Sequence, residues 1–219
     1  MHSLKVNNLE GRRLSGSDDY KSNSGCFIQQ AVSRNFLTYR SKIKFMAIAS
    51  PFNLKKWIVE NRGLLKPPVG NHCIYKDAEN FIVMVVGGPN ARKDYHYNES
   101  EELYYQVEGD IVVKIIENGT PRDIHINEGD IFLLPPKTPH SPQRGPNTVG
   151  LVIEKVRETE EDGFLWYCEN CGNKLYEQHL HVSDIVKQLP PVMEGFYTDD
   201  QKRTCTKCGS VMAPPVKKG

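Results

Sequence analysis

No run in this chain approaches the roughly 20 consecutive apolar residues that a membrane-spanning helix needs, and residues 1–45 lack the apolar central stretch of a secretory signal. A soluble, cytoplasmic protein is the expectation. An excess of either charge is missing as well: 28 Lys and Arg against 27 Asp and Glu leave a formal net charge of +1, with no extended basic run. The field that gathers nucleic acid or anionic lipid is therefore absent, and neither is expected as a partner. No segment recurs at a fixed period, which excludes a repeat architecture. Cysteine is scarce. Four of the six form two Cys-x-x-Cys pairs, which read as metal ligands in a reducing compartment rather than as disulfides. Cys26 and Cys73 are left over and read as inert thiols.

What is present divides the chain into three parts. Residues 1–45 are polar, rich in Ser, Asn and Lys, and hold neither a period of 2 nor a sustained period of 3.6, so a disordered extension is expected there. Met46 is an alternative start, and Glu10, Asp18 and Asp19 argue against an acid-poor presequence. Over residues 51–61, Leu54, Trp57 and Ile58 fall at helical spacing between Pro51 and Gly63, which predicts one short helix.

The pattern then changes to short runs rich in Val, Ile, Leu, Tyr and Phe, over 81–86, 103–107, 111–116, 123–126, 131–134 and 149–156. Turn chemistry separates them: Gly87-Gly88-Pro89, Glu108-Gly109-Asp110, Asn118-Gly119, Glu128-Gly129-Asp130 and Gly145-Pro146-Asn147. Closely spaced strands of this kind predict a mainly β sandwich or barrel over 46–160. Residues 161–219 form a smaller C-terminal extension, with a helix expected near 183–189.

Within the strand-rich region His96 is followed by Glu102 and Gly109, and a second group reads Gly129, Pro135, His140 and Arg144. These spacings resemble the two motifs of the cupin double-stranded β-helix, a jelly-roll barrel. Where that pattern opens with His-x-His, this chain has Asp94-Tyr95-His96, so the candidate ligands are two histidines and one carboxylate. Such a set leaves coordination positions open, the arrangement that lets ferrous iron hold a chelating substrate and dioxygen together. His72 and His125 fit neither motif and read as structural or exposed; His2, His179 and His181 read the same way, although the last two lie close enough in sequence to the tail cysteines to touch a metal there.

A more specific likeness surrounds these ligands. Lys66-Pro67-Pro68-Val69-Gly70-Asn71, Gly87-Gly88-Pro89-Asn90, Arg92-Lys93-Asp94-Tyr95-His96, Phe132-Leu133-Leu134-Pro135-Pro136, Pro139-His140-Ser141-Pro142-Gln143-Arg144 and Leu151-Val152-Ile153-Glu154 resemble the 3-hydroxyanthranilate 3,4-dioxygenases, in order, from about Pro51 to Cys208. The resemblance implies iron ligands at His96, Glu102 and His140. It places Arg92 at a dioxygen position, Glu102, Arg144 and Glu154 at substrate positions, and Asn71 as a weaker pocket candidate. An aminophenol carboxylic acid needs a cation for its carboxylate, and the planar fork of Arg144 suits that pairing. Of Tyr104 and Tyr105, strand alternation turns one inward.

The implied activity is ring cleavage of 3-hydroxyanthranilate by dioxygen to 2-amino-3-carboxymuconate semialdehyde. That product leads to quinolinate and to NAD from tryptophan through the kynurenine pathway, with Fe(II), no organic cofactor and a homodimer. Rival readings are a cupin that binds without turnover, and a dioxygenase for another aminophenol or catechol.

In the tail, Cys168-Glu169-Asn170-Cys171-Gly172 and Cys205-Thr206-Lys207-Cys208-Gly209 form two knuckles whose spacing fits one tetrahedral ion held by four thiolates. They resemble rubredoxin. The expected ion is a structural Fe or Zn, because a closed ligand set leaves no position for substrate. A nucleic-acid-binding zinc ribbon is the rival, and it is weakened by the acidic residues interspersed among Lys174, Lys202, Arg203 and Lys207.

Overall fold

The computed structural model describes residues 48–67, 70–183 and 185–216. The extension expected over 1–45, the alternative start at Met46, His2 and Cys26 lie outside the described residues.

Helix α1 (Leu54–Glu60) begins where the Asn53 side chain accepts from the Lys56 amide at 2.9 Å, satisfying a donor that a helix start leaves unpaired. It buries Ile58, which packs with Leu65 of the following 3-10 turn (Arg62–Leu65) on Val85, Val107 and Val149. Each such aliphatic side chain taken from water contributes about 1.5–3 kcal/mol. The helix therefore covers part of a sheet face and ends at Asn61, whose amide donates to the Trp57 carbonyl.

The strands are β1 (Asn71–Cys73), β2 (Phe81–Gly87), β3 (Tyr95–Tyr97), β4 (Glu102–Glu108), β5 (Ile111–Glu117), β6 (Thr120–Ile126), β7 (Ile131–Leu134), β8 (His140–Arg144), β9 (Val149–Lys155), β10 (Asp162–Tyr167) and β11 (Lys174–Leu180). One sheet has the order β1-β2-β9-β4-β7 and the other β11-β10-β3-β8-β5-β6, with antiparallel pairing. Within β2 to β9 the two sheets read β2-β9-β4-β7 and β3-β8-β5-β6, the order of a jelly roll. The expected mainly β, double-stranded β-helix architecture is thus present. Its interior joins Tyr104, Leu134 and Val152 of the first sheet to Ile111, Val113, Ile115 and Ile126 of the second. The β5–β6 hairpin turns on Asn118 (φ 51°) and Gly119 (φ 78°), the left-handed pair whose twist matches the flanking strands.

Strand β10 pairs with β3 on one side and β11 on the other, so the chain beyond residue 160 continues the second sheet. Helix α2 (Ile185–Tyr197) and the short α3 (Asp200–Arg203) follow. The expected helix near 183–189 runs on to Tyr197 through Pro190 and Pro191. Prolines in mid-helix remove backbone donors, but here Val192 and Phe196 pack with Phe164, Trp166 and Met212, and Phe196 stacks on Trp166 at 4.3 Å. Tertiary packing overrides the local penalty.

Candidate metal centre

The barrel interior gathers His96 from β3, Glu102 from the start of β4 and His140 from the start of β8. His96 and His140 are cross-strand partners, with ring centroids 5.1 Å apart, and Glu102 reaches them from the opposite sheet. Its Oε1 lies 3.3 Å from His96 Nδ1 and 3.2 Å from His140 Nε2.

The partners of the other nitrogens decide what this arrangement can hold. His140 Nδ1 lies 2.9 Å from the Thr138 carbonyl, which can only accept, so Nδ1 carries the proton and Nε2 presents its lone pair to Glu102. His96 Nε2 lies 3.1 Å from Asp162 Oδ1, which leaves Nδ1 in the same relation to the same oxygen. Two imidazole nitrogens and a carboxylate oxygen that face one another suit a shared proton on His96 or, in its place, a metal cation among them. Hydrogen bonds fix Glu102 in that position, with Asn98 donating to its Oε1 at 2.8 Å and Tyr104 to its Oε2 at 2.7 Å. The donor set therefore fits a divalent ion with open coordination positions.

Electrostatics agree. Burial works against a charge on His96, yet the hydrogen bonds its ring donates to the Asp162 and Glu102 carboxylates raise its pKa to about 9. Burial alone would raise the Glu102 carboxyl, but His140 and His96 hold it well below the ordinary carboxylate range.

Around this group stand the other expected site residues. Arg144, 4% exposed, meets only one side-chain partner among the described residues, Gln106 Oε1 at 3.3 Å, and no carboxylate. Burial, with Arg92 adding, pulls its guanidinium down to about 10. The Asn90 side chain fixes its backbone, accepting from the Arg144 amide at 2.9 Å. Gly150 on β9 leaves it room, since a Cβ there would stand 2.8 Å from Gln106 Oε1 and 3.0 Å from an Arg144 nitrogen.

Glu154 is buried on β9 directly opposite Glu102, and burial and the Glu102 charge push its carboxyl above the usual range. Arg92 has its side chain 29% exposed and donates to Asp94 Oδ2 at 2.5 Å. Tyr104 is the inward tyrosine, and Tyr105 lies 38% exposed on the outer face. Asn71 starts β1 opposite Val86, and among the described residues no hydrogen bond ties it to the metal group.

Asp162, Asn98, Gln106, Asn90 and Arg157 were not singled out by the sequence. Asp162 ends the acidic run Glu158-Thr159-Glu160-Glu161 and looks there like one more solvated charge.

The tail cysteines also converge. Cys168 and Cys208 sulfurs lie 3.6 Å apart, as do those of Cys171 and Cys205, and all four form one ligand group. Each knuckle closes on a glycine amide, Gly172 to the Cys168 carbonyl and Gly209 to the Cys205 carbonyl. Hydrogen bonds from Ser210 hold the Cys208 thiol down to about 5. His179 packs edge-on against Tyr97 and His181 faces the Glu160 carbonyl, so neither joins the cysteines.

A jelly-roll barrel whose interior gathers two histidines and a glutamate into one group able to hold a metal has the architecture of a cupin. The family described as 3-hydroxyanthranilic acid dioxygenase matches residues 46–197. A 3-hydroxyanthranilate 3,4-dioxygenase from Xanthomonas campestris pv. campestris (strain 8004) is 52% identical over 171 residues, 78% of this chain and 96% of the relative. Another from Podospora anserina is 48% identical over 170 residues, 76% and 91%. A cupin-2 domain containing protein from Shewanella frigidimarina aligns at 14% identity and a TM-score of 0.33, over 40% of this chain and 79% of that one. The chain belongs to the 3-hydroxyanthranilic acid dioxygenase family.

Proposed function

We propose that the chain converts 3-hydroxyanthranilate and dioxygen to 2-amino-3-carboxymuconate semialdehyde, with Fe(II) held by His96, Glu102 and His140. Both oxygen atoms enter the product, so no external reductant is needed. The observation that carries this reading is Arg144: a buried guanidinium, four residues along β8 from His140, that meets no acid among the described residues is built to receive an anionic carboxylate. When bound, ferrous iron supplies the electron transfer that lets dioxygen react with an aromatic ring.

The residues do the rest. Arg144 binds the substrate carboxylate and so orients the ring, with its hydroxyl and amino groups toward the ligand set. Glu154, whose carboxyl is raised, takes the hydroxyl proton and returns it to the product side. Arg92, steadied by Asp94, offsets negative charge as it develops on oxygen. Tyr104 and Asn98 keep Glu102 from turning away as the substrate enters.

The product's cyclisation to quinolinate would place the reaction in tryptophan-to-NAD metabolism, the kynurenine pathway. A cytoplasmic location agrees with a tail site made of four free thiols. The four cysteines would hold one structural Fe or Zn. A homodimer is supported by the uncovered outer face of the first sheet, where Phe81, Tyr105, Ile131 and Leu133 are exposed together.

Oxygen consumption by the Fe(II)-loaded protein with 3-hydroxyanthranilate, with product absorbance followed alongside, tests the reading. Stoichiometric uptake with semialdehyde formation is expected. Absence of uptake despite iron in the barrel would reject the substrate and leave a binding cupin, or a dioxygenase for another aminophenol, in its place.

A further inference from the structure

The metal group continues outward through charges that no step above uses. Asp162 opens β10, whose next residues pair with β3 so that Phe164 stands opposite His96. Its Oδ1 meets His96 Nε2 at 3.1 Å and Arg157 Nε at 2.8 Å, the latter an ion pair whose N–H is not aligned for a hydrogen bond. The terminal nitrogen of Arg157 lies 2.5 Å from Glu154 Oε2. The chain of contacts His96, Asp162, Arg157, Glu154 then closes on itself, because Glu154 faces Glu102 across β9 and β4, and Glu102 faces His96.

Two features make this more than a surface ion-pair network. Both carboxylates that Arg157 touches are buried, and among the described residues it is the only Lys or Arg within ion-pair distance of either. A buried carboxylate stripped of its cation is unstable where it stands, so Arg157 fixes the position of both. In addition, the acid on His96 comes from a strand outside the eight-stranded barrel. The orientation of this ligand ring is therefore set by the chain beyond residue 160.

We propose that Asp162 and Arg157 are positioning residues for the metal centre: Asp162 fixes the ring and tautomer of His96, and Arg157 locks Asp162 to Glu154, so that the metal ligand and the proton-accepting carboxylate are aligned together. Arg157 engages Oε2 of Glu154 and leaves Oε1 for the substrate. The inference rests on the metal-centre reading above.

The test uses full-length protein loaded with Co(II). Absorption is read as the difference from a His140→Ala variant, which cancels the four-cysteine contribution. Asp162→Asn is expected to weaken Co(II) at the barrel by about 10- to 100-fold and to shift its absorption band, while cobalt in the four-cysteine site is unchanged. Asp162→Glu keeps the charge but lengthens the arm, and is expected to shift the band in the same way. It also serves if the Asn variant does not fold. Arg157→Gln in the iron enzyme should lower kcat with little change in KM, and Arg157→Lys should recover part of that loss, since one ammonium cannot span both carboxylates. Cobalt affinity and spectrum unchanged in folded Asp162 variants would overturn the proposal alone. A wild-type difference spectrum with no barrel cobalt would overturn the metal-centre reading and this inference with it.

Discussion

Glu102 and Glu154 stand directly opposite each other in the β4–β9 register, both turned into the barrel and exposed by only 2% and 6%. Like charges at such a distance disfavour each other, and their surroundings separate them. Two imidazoles hold Glu102 low, whereas burial and Glu102 itself push Glu154 up against the opposing pull of Arg157. That separation fits the proposed division of work, in which Glu102 holds the metal and Glu154 carries the proton.

Replacing Glu154 with Gln keeps the shape and removes the proton acceptor. Turnover should fall by about 10²- to 10⁴-fold, the usual worth of a positioned base, with barrel iron at its wild-type level. Steady-state kinetics beside metal analysis checks this. A kcat within about threefold of wild type would leave Glu154 as a mere partner of Arg157.

Arg144 offers a sharper case because its function and its stability oppose each other. Its guanidinium is buried and meets no acid among the described residues, so Arg144→Met relieves the desolvation of a charge while filling similar volume. The variant should be more stable by about 0.5–2 kcal/mol, and its KM should rise by about 10- to 100-fold. Thermal melts and kinetics on the same sample read both. A variant that melts lower and retains KM would mean that Arg144 holds the fold rather than the substrate.

Much of this site is legible in the sequence, and the rest is hidden for physical reasons. The likeness to the cupin motifs brings out His96, Glu102 and His140, which the fold gathers into one group. The strands that carry the two histidines are not legible: β3 has only three residues, and β8 reads His-Ser-Pro-Gln-Arg, which has no strand propensity of its own. They are strands because neighbours pair with them, a tertiary effect that no local window contains. Asp162 is hidden by its acidic neighbours, since only the β3–β10 pairing distinguishes it from Glu160 and Glu161. The continuation of α2 is hidden by Pro190 and Pro191, whose penalty is offset by packing on Trp166.

Proton release should accompany metal capture. The folded protein raises His96 from 6.5 to about 9, so in the metal-free state it is a cation near neutrality. A raised value means that its charge stabilises the fold fully below the unfolded value and that this contribution is lost as pH rises through about 9. Metal binding must displace that proton. Zinc affinity at the barrel should therefore weaken by roughly tenfold per pH unit below about 9. Calorimetric titration in buffers of different ionisation enthalpy, with the four-cysteine site already filled, counts the proton. An affinity flat between about pH 7 and 9 would refute the assignment of that charge to His96.

The tail site should behave as a staple and not as a catalyst. Its four sulfurs form a closed set, and they pin a small C-terminal region whose buried cluster is Phe164, Trp166, Val192, Phe196 and Met212, with side chains such as Leu175 and Leu189 only partly buried around it. A unit of that size depends on its ion for stability, since metal binding and folding are one equilibrium. Cys171→Ser removes one ligand and should empty the site, lower the melting temperature and leave barrel metal near its wild-type level at temperatures where the protein stays folded. The effect should still reach the barrel on heating, because β10 carries Asp162 at one end and leads into Cys168 at the other. Loss of barrel metal should then follow the tail's unfolding rather than precede it. Barrel metal lost at low temperature, with the fold intact, would instead mean that the two centres are coupled directly.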